Sequence, residues 1–186
     1  MNCTATERDF IDLLRRRTAS AAITPSAGRN MGAGGMIKSG RLFLRDHVDL
    51  RELAESSEQD FPRVLDRLTR RMQRTLSPFL RDGHTGWGPC RKFLNIYLRD
   101  ALYNCYLRQA FCLNGLESVM EVPLDRDVGT FLADKDADAS LPRWTSVCGL
   151  NAETSAKYQE SAARVAKKMR TDRVHLDVAA WRRNSI

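Results

Sequence analysis

The chain has 186 residues, 42% of them hydrophobic, which is enough for one domain with a substantial core. No apolar run approaches the roughly 20 residues of a transmembrane helix, and no basic-then-apolar leader is present, so we expect neither a membrane protein nor a secreted one. The net charge of +7 favours a polyanionic partner. Five scattered cysteines without a C-x-x-C spacing indicate reduced thiols, and we expect a cytoplasmic, metal-free protein without a cofactor, nucleoid-associated if bacterial.

The first part of the chain predicts short helices separated by a long loop. Thr6–Asp9 is similar to a capping box and would open a short helix that ends at the basic run Arg15–Arg17. Basic residues also complement the dipole at a helix C-terminus, so DNA contact and a structural role are equally compatible with this run. Residues 18–40 hold five of the eleven glycines and predict a long ordered loop or arm, with a short helix and turn over 41–53.

From Asp60 onward the helical signal becomes stronger, because apolar residues recur at helical spacing as far as Leu80. The other face of this predicted helix carries arginines at positions 63, 67, 70, 71 and 74. Such a face is usually solvated, and contact with nucleic acid is the minor alternative.

A glycine turn, Gly86-Trp87-Gly88, precedes the longest amphipathic segment, over residues 91–112. Glycine suits a tight turn because it lacks a Cβ, and a helix that then begins with Arg91 and Lys92 offers free N–H groups and two cations to a phosphate. The alternative is a loop that enters an ordinary core helix.

The second half of the chain predicts an extended segment and three further helices. Pro123 disfavours helix for the residue before it, and Asp125 is well placed as the N-cap of a helix that begins near Arg126. Residues 152–169 and 174–181 are also amphipathic. We therefore predict an all-α fold, a compact single helical domain over residues 1–186, with about seven or eight helices and a long N-terminal loop.

Two of these motifs, taken in order, resemble the helix–hairpin–helix DNA glycosylase superfamily, which includes endonuclease III and the 8-oxoguanine glycosylases. The family hairpin runs roughly Leu-Pro-Gly-Val-Gly-x-Lys-x-Ala-Asn, and here the glycine turn precedes Lys92 and Asn95. The segment Val-Pro-Leu-Asp-Arg-Asp-Val at 122–128 is similar to the family's Val-Pro-Val-Asp-Thr-His-Val. The resemblance covers about residues 66–133, and Pro89 and Cys90 depart from the family hairpin.

The resemblance implies a monomeric base-excision repair enzyme that acts on damaged or modified bases in double-stranded DNA. Lys92 would be the amine nucleophile at the sugar C1′ and would give AP lyase activity through a Schiff base, and Asp125 would stabilise the oxocarbenium-like sugar. Gly86, Trp87, Gly88, Arg91 and His84 would contact the DNA, with Trp87 as a candidate wedge into the base stack.

Two other functions remain open from the sequence. The same hairpin could hold backbone phosphates in a DNA-binding protein without catalysis, or the chain could be a helical interaction protein without a nucleic-acid partner. A common cleft for Lys92 and Asp125 would favour the enzyme, and opposite faces would exclude it. The residues do not indicate which base is removed.

Overall fold

The computed structural model describes residues 5–29, 31–80, 84–137 and 139–182. Within these ranges the chain forms nine α-helices and no β-strand, which confirms the predicted all-α class. No helix in the described ranges combines the length and the apolar character needed to cross a membrane. In chain order the helices are α1 (Ala5–Ala22), α2 (Met36–His47), α3 (Leu50–Glu55), α4 (Phe61–Leu76), α5 (Trp87–Tyr103), α6 (Cys105–Ala110), α7 (Arg126–Lys135), α8 (Ala152–Met169) and α9 (Leu176–Arg182).

The N-terminal region is more helical than the sequence predicts. Helix α1 continues past the arginine run to Ala22, and α2 begins at Met36, so the predicted loop over 18–40 is wrong at both ends and residues 23–35 alone connect the helices. The last turns of α1 bury Thr18, Ala19 and Ala22, and this tertiary packing stabilises helix where the composition indicated a loop. Thr6 lies inside α1, so it is not the N-cap that the capping-box pattern predicts.

The middle of the chain follows the prediction more closely. Helix α4 begins at Phe61 and buries the predicted apolar face. The predicted single helix over 91–112 is two helices, because α5 ends at Tyr103 and the side chain of Asn104 accepts hydrogen bonds from the first N–H groups of α6. Residues 81–83, within the predicted hairpin between α4 and α5, lie outside the described residues, so the helix–hairpin–helix motif remains a prediction.

Two clusters of buried apolar residues form the core. The larger one lies among α1 to α6 and includes Phe43, Phe61 and Phe93, whereas the smaller one is built by α7 to α9. The indole of Trp144 packs against both clusters. Junctions between packed units are common places for binding sites, and here α5 from the larger cluster meets the start of α7 from the smaller one.

Candidate functional site

Lys92 lies on α5, five positions after the first residue of that helix, Trp87, and its side chain is only 11% exposed. The start of α5 is set by Gly86, whose φ of 71° is in the left-handed region. A Cβ at Gly86 would also lie 2.4 Å from Cδ1 of Leu80. The backbone angle therefore favours glycine at this turn, whereas the flexible side chain of Leu80 could move aside for a Cβ.

Gly88 and Pro89 occupy the first turn of α5. A Cβ at Gly88 would lie 2.0 Å from the carbonyl oxygen of Val147, so this glycine allows α5 to pack closely against the 3-10 turn Val147–Gly149. Pro89 is tolerated because first-turn N–H groups have no partner within the helix. The departure of Pro89 from the family hairpin thus leaves the helix itself intact.

Asp125 is the N-cap of α7, as the sequence predicts. Its Oδ1 atom accepts hydrogen bonds from the N–H groups of Asp127 and Val128, both at 3.1 Å. Its Oδ2 atom lies 3.6 Å from Nζ of Lys92. One carboxylate oxygen therefore holds the helix, and the other faces the lysine.

A buried ion-pair network fixes the segments that carry Lys92 and Asp125. The guanidinium of Arg91 donates to both carboxylate oxygens of Glu121, at 2.8 and 2.7 Å, and to Asp66 at 2.8 Å. Asn95 donates to Glu121 at 3.0 Å. Because Arg91 precedes Lys92 and Glu121 lies four residues before Asp125, this network ties the two site segments together.

The network also controls the charge of its members. Burial alone would raise the pKa of Glu121, but the charge and hydrogen bonds of Arg91 and the hydrogen bond of Asn95 outweigh burial and lower that pKa. Burial would lower the pKa of Arg91, yet the charges of Glu121 and Asp66 raise it. The two groups therefore stay ionised as a pair. In contrast, burial raises the pKa of the nearby Cys90 thiol to about 12, which keeps it protonated.

The extended segment before Asp125 has further fixed contacts. Arg173 donates to the carbonyl oxygens of Met120 and Val119, both at 2.8 Å. The side-chain amide of Gln159 on α8 accepts a hydrogen bond from the N–H of Val122 at 3.0 Å and donates one to the carbonyl oxygen of Val122 at 2.8 Å. The segment that leads to Asp125 is thus held by contacts from α5, α8 and the 3-10 turn Arg173–His175.

A cleft of about 410 Å³ opens beside Asp125, between α5, α7 and α9. Arg99 forms an ion pair with Asp177 across it. At its edge the hydroxyl of Tyr103 is hydrogen-bonded to Nδ1 of His175 at 2.8 Å, with the two rings stacked. The lining residues are Arg99, Asp100, Tyr103, Asp125, Asp127, Val128, Asp177, Val178, Ala180 and Trp181.

The structure brings together the two predicted catalytic residues, Lys92 and Asp125, but not all of the predicted DNA contacts. His84 is exposed in the turn before α5. Gly86 and Gly88 are buried. Arg91 is also buried, so the structure places its guanidinium in the network described above rather than on a DNA-facing surface. The ring of Trp87 is partly buried. Its centroid lies 5.4 Å from the guanidinium carbon of Arg91, so the ring and the guanidinium form a cation–π contact.

The cleft residues on α5 and α9 were not among the site residues predicted from the sequence. Arg99 and Tyr103 follow Lys92 by seven and eleven positions, which places all three on one side of α5. Asp177 and Trp181 are spaced four apart on α9. The available sequence signal was a stripe of polar residues along an otherwise apolar helix. Polar residues seven and eleven positions after Lys92 would have indicated that they share its side of α5.

No family model, curated protein or solved structure gives a significant match to the chain. Among the described residues, no group of three or more His, Cys, Asp or Glu side chains is arranged to hold a metal ion. The fold and the site define an all-α protein with a cleft beside a lysine–carboxylate pair. The function of such a pair has to be inferred from its geometry.

Proposed function

We propose that the protein is a DNA glycosylase that excises a damaged or modified base and has associated AP lyase activity through a Schiff base on Lys92. The observation that carries this proposal is the 3.6 Å separation between Nζ of Lys92 and Oδ2 of Asp125 beside a cleft. A shielded amine next to a carboxylate is compatible with covalent catalysis at a sugar carbon. The order of the motifs in the sequence supports the same chemistry.

The first step follows from these two side chains. The target nucleotide leaves the base stack so that C1′ can reach Nζ of Lys92. The neutral amine of Lys92 attacks C1′ while the glycosidic bond breaks and its electron pair leaves with the base, and the base takes up the proton that the attacking nitrogen loses, so that Asp125 remains a carboxylate. The negative charge of Asp125 stabilises the cationic sugar as this bond breaks. The capping hydrogen bonds to Oδ1 keep the other oxygen directed at the lysine.

The lyase step uses the same covalent intermediate. Opening of the sugar ring gives an imine between Nζ and C1′, with the ring oxygen protonated as an alcohol. Loss of a proton from C2′ then expels the 3′ phosphate by β-elimination, and hydrolysis of the imine regenerates Lys92. The chemistry needs neither a metal ion nor a redox partner.

The cleft is a suitable place for an extruded base. Half of its ten lining residues are aromatic or apolar, among them Tyr103 and Trp181, which offer stacking surface, and the other half are charged. Oδ1 of Asp177 is a buried acceptor without a hydrogen-bond partner among the described residues. Such an atom is costly to leave unpaired, and an N–H group of a bound base would reach it only if the side chains that bury it moved aside.

Borohydride trapping tests the proposal. Borohydride reduces the imine to a stable amine, so wild-type protein incubated with duplexes that contain oxidised, alkylated, deaminated or abasic sites should give a covalent adduct. Lys92→Ala should give none, and Lys157→Ala, at an exposed lysine on α8, should give the wild-type yield. Absence of both an adduct and base release across the panel would contradict the proposed enzymatic activity. Duplex binding that persists in wild type, Lys92→Ala and Asp125→Asn would then identify a DNA-binding protein without catalysis.

A further inference from the structure

The second half of α4 carries a cationic surface that the catalytic pair does not use. Residues 69–80 contain three arginines and no acidic residue. Arg70, Arg71 and Arg74 are exposed, and none of the ion pairs in the described parts of the chain includes them. We call these three residues the α4 arginine surface.

The first half of the same helix is neutralised. Arg63 is paired with Asp60 at 3.2 Å, and Arg67 is paired with Glu52 from α3. In the second half, by contrast, Arg74 follows Arg70 at i, i+4, where like charges repel each other and destabilise the helix. A face that serves solubility alone gains from alternating charge signs, so cations at this spacing that pair with no acidic side chain among the described residues favour an anion outside the chain.

The position of the α4 arginine surface indicates which anion. Asp66 bonds to Arg91 at 2.8 Å, and Gln73 donates to the carbonyl oxygen of Thr85 at 2.9 Å, so one flank of α4 is joined to the turn and helix that carry Lys92. Arg74 follows Gln73 directly and lies about 100° further round the helix axis. Arg70 and Arg74 therefore lie on the exposed flank next to this turn, and Arg71 lies further round the exposed side of the helix, about 160° from Gln73.

We propose that Arg70, Arg71 and Arg74 bind backbone phosphates of the double-stranded DNA that flanks the excised base. This inference rests on the proposed function and adds a second contact surface to it. Guanidinium groups bind phosphate oxygens in a bidentate manner, and such contacts orient the duplex without reading its sequence. The surface positions the DNA and takes no part in bond breaking.

The test is the salt dependence of duplex binding by Arg70→Gln/Arg74→Gln, because glutamine retains the helix propensity of arginine and removes the charge. The slope of log affinity against log salt concentration should fall by about 2, at about 0.9 per phosphate contact. Affinity should fall by the same factor for unrelated duplex sequences, and the single-turnover rate at saturating DNA should stay at the wild-type value. Arg74→Glu should weaken binding more than Arg74→Gln.

Lys167→Gln/Lys168→Gln is the matched control, since it removes the same charge from α8, whose main contacts are with α7 and the turn before α9. A slope for the arginine variant equal to that of the wild type or of this control would overturn the inference, and with base excision intact the proposed function would stand. Failure of the wild type to bind or cleave any duplex would contradict both the proposed function and the role of the α4 arginine surface.

Discussion

Nζ of Lys92 lies 3.6 Å from Oδ2 of Asp125, although the two residues belong to helices that pack in different core clusters. The lysine side chain is 11% exposed and the aspartate side chain 39%. This asymmetry leaves the carboxylate open to the cleft while the amine is shielded from bulk water. The pair is also linked through Arg91 and Glu121, which join the same two segments one residue before the lysine and four before the aspartate.

Substitution of Asp125 should separate its catalytic and capping roles. Asparagine caps helices as well as aspartate, so Asp125→Asn should keep the wild-type free energy of unfolding, whereas Asp125→Ala should lose about 0.5–2 kcal/mol. Both variants should slow base excision by about 10²–10⁴-fold, because both remove the carboxylate. Urea unfolding and single-turnover assays measure the two effects. Full activity in Asp125→Asn would show that the charge has no catalytic role.

Trp181→Ala should distinguish binding of a base from chemistry at the sugar. The indole lines the cleft and is 72% exposed, so its removal should change stability little. Base–aromatic stacking contributes about 1–3 kcal/mol, so excision of an intact lesion base should become roughly 5- to 150-fold less efficient. Cleavage of a duplex with an abasic site should keep its wild-type rate, since no base occupies the cleft. An equal loss of activity on both substrates would contradict the assignment of the cleft as the binding site for the extruded base.

The ion pair between Arg91 and Glu121 should show strong coupling. Arg91→Met leaves the buried carboxylate of Glu121 without its ion-pair partner and should cost about 3–5 kcal/mol of unfolding free energy, whereas Glu121→Leu leaves Arg91 paired with Asp66 and should cost less. The double variant should cost less than the sum of the two, because both charges are removed together. A double-mutant cycle in urea measures the difference. Additive losses would mean that the pair is not coupled.

Glu121 should also make stability depend on pH. Its pKa is lowered in the folded protein, so the unfolded chain binds a proton at higher pH than the folded chain does. The contribution is complete above the ordinary glutamate pKa of about 4.3 and is lost as the pH falls below that value toward the folded pKa. The wild type should therefore lose more stability than Arg91→Met/Glu121→Leu between about pH 5 and pH 3. If the free energy of unfolding of the wild type and of the double variant changed in parallel over this range, the contribution of Glu121 to the pH dependence would be contradicted.

Gly88→Ala should destabilise the contact between α5 and the turn Val147–Gly149. The added methyl group would meet the Val147 carbonyl oxygen at 2.0 Å, a backbone atom that cannot move away as a flexible side chain can. We expect a loss of about 1–3 kcal/mol in unfolding free energy. Gly149→Ala is the control, because its nearest neighbour would lie at 3.9 Å and its cost should stay within about 0.5 kcal/mol. Equal stability of the two variants would exclude the close approach.

The sequence by itself determined the helical class, the bounds of α8 and the capping role of Asp125. These features depend on hydrophobic periodicity and on hydrogen bonds between residues a few positions apart, so the local sequence contains the whole signal. The order of Lys92 and Asp125 was also visible, although their distance was not.

Only the tertiary structure decided which charged side chains are buried and which face the cleft. Arg91 and Lys92 are neighbours in sequence, yet Arg91 is held by Glu121 and Asp66, while Lys92 faces Asp125. The cleft likewise joins side chains from α5, α7 and α9. Pairing of charges and formation of a cleft depend on which distant segments pack together, and no local pattern in a single sequence specifies that packing.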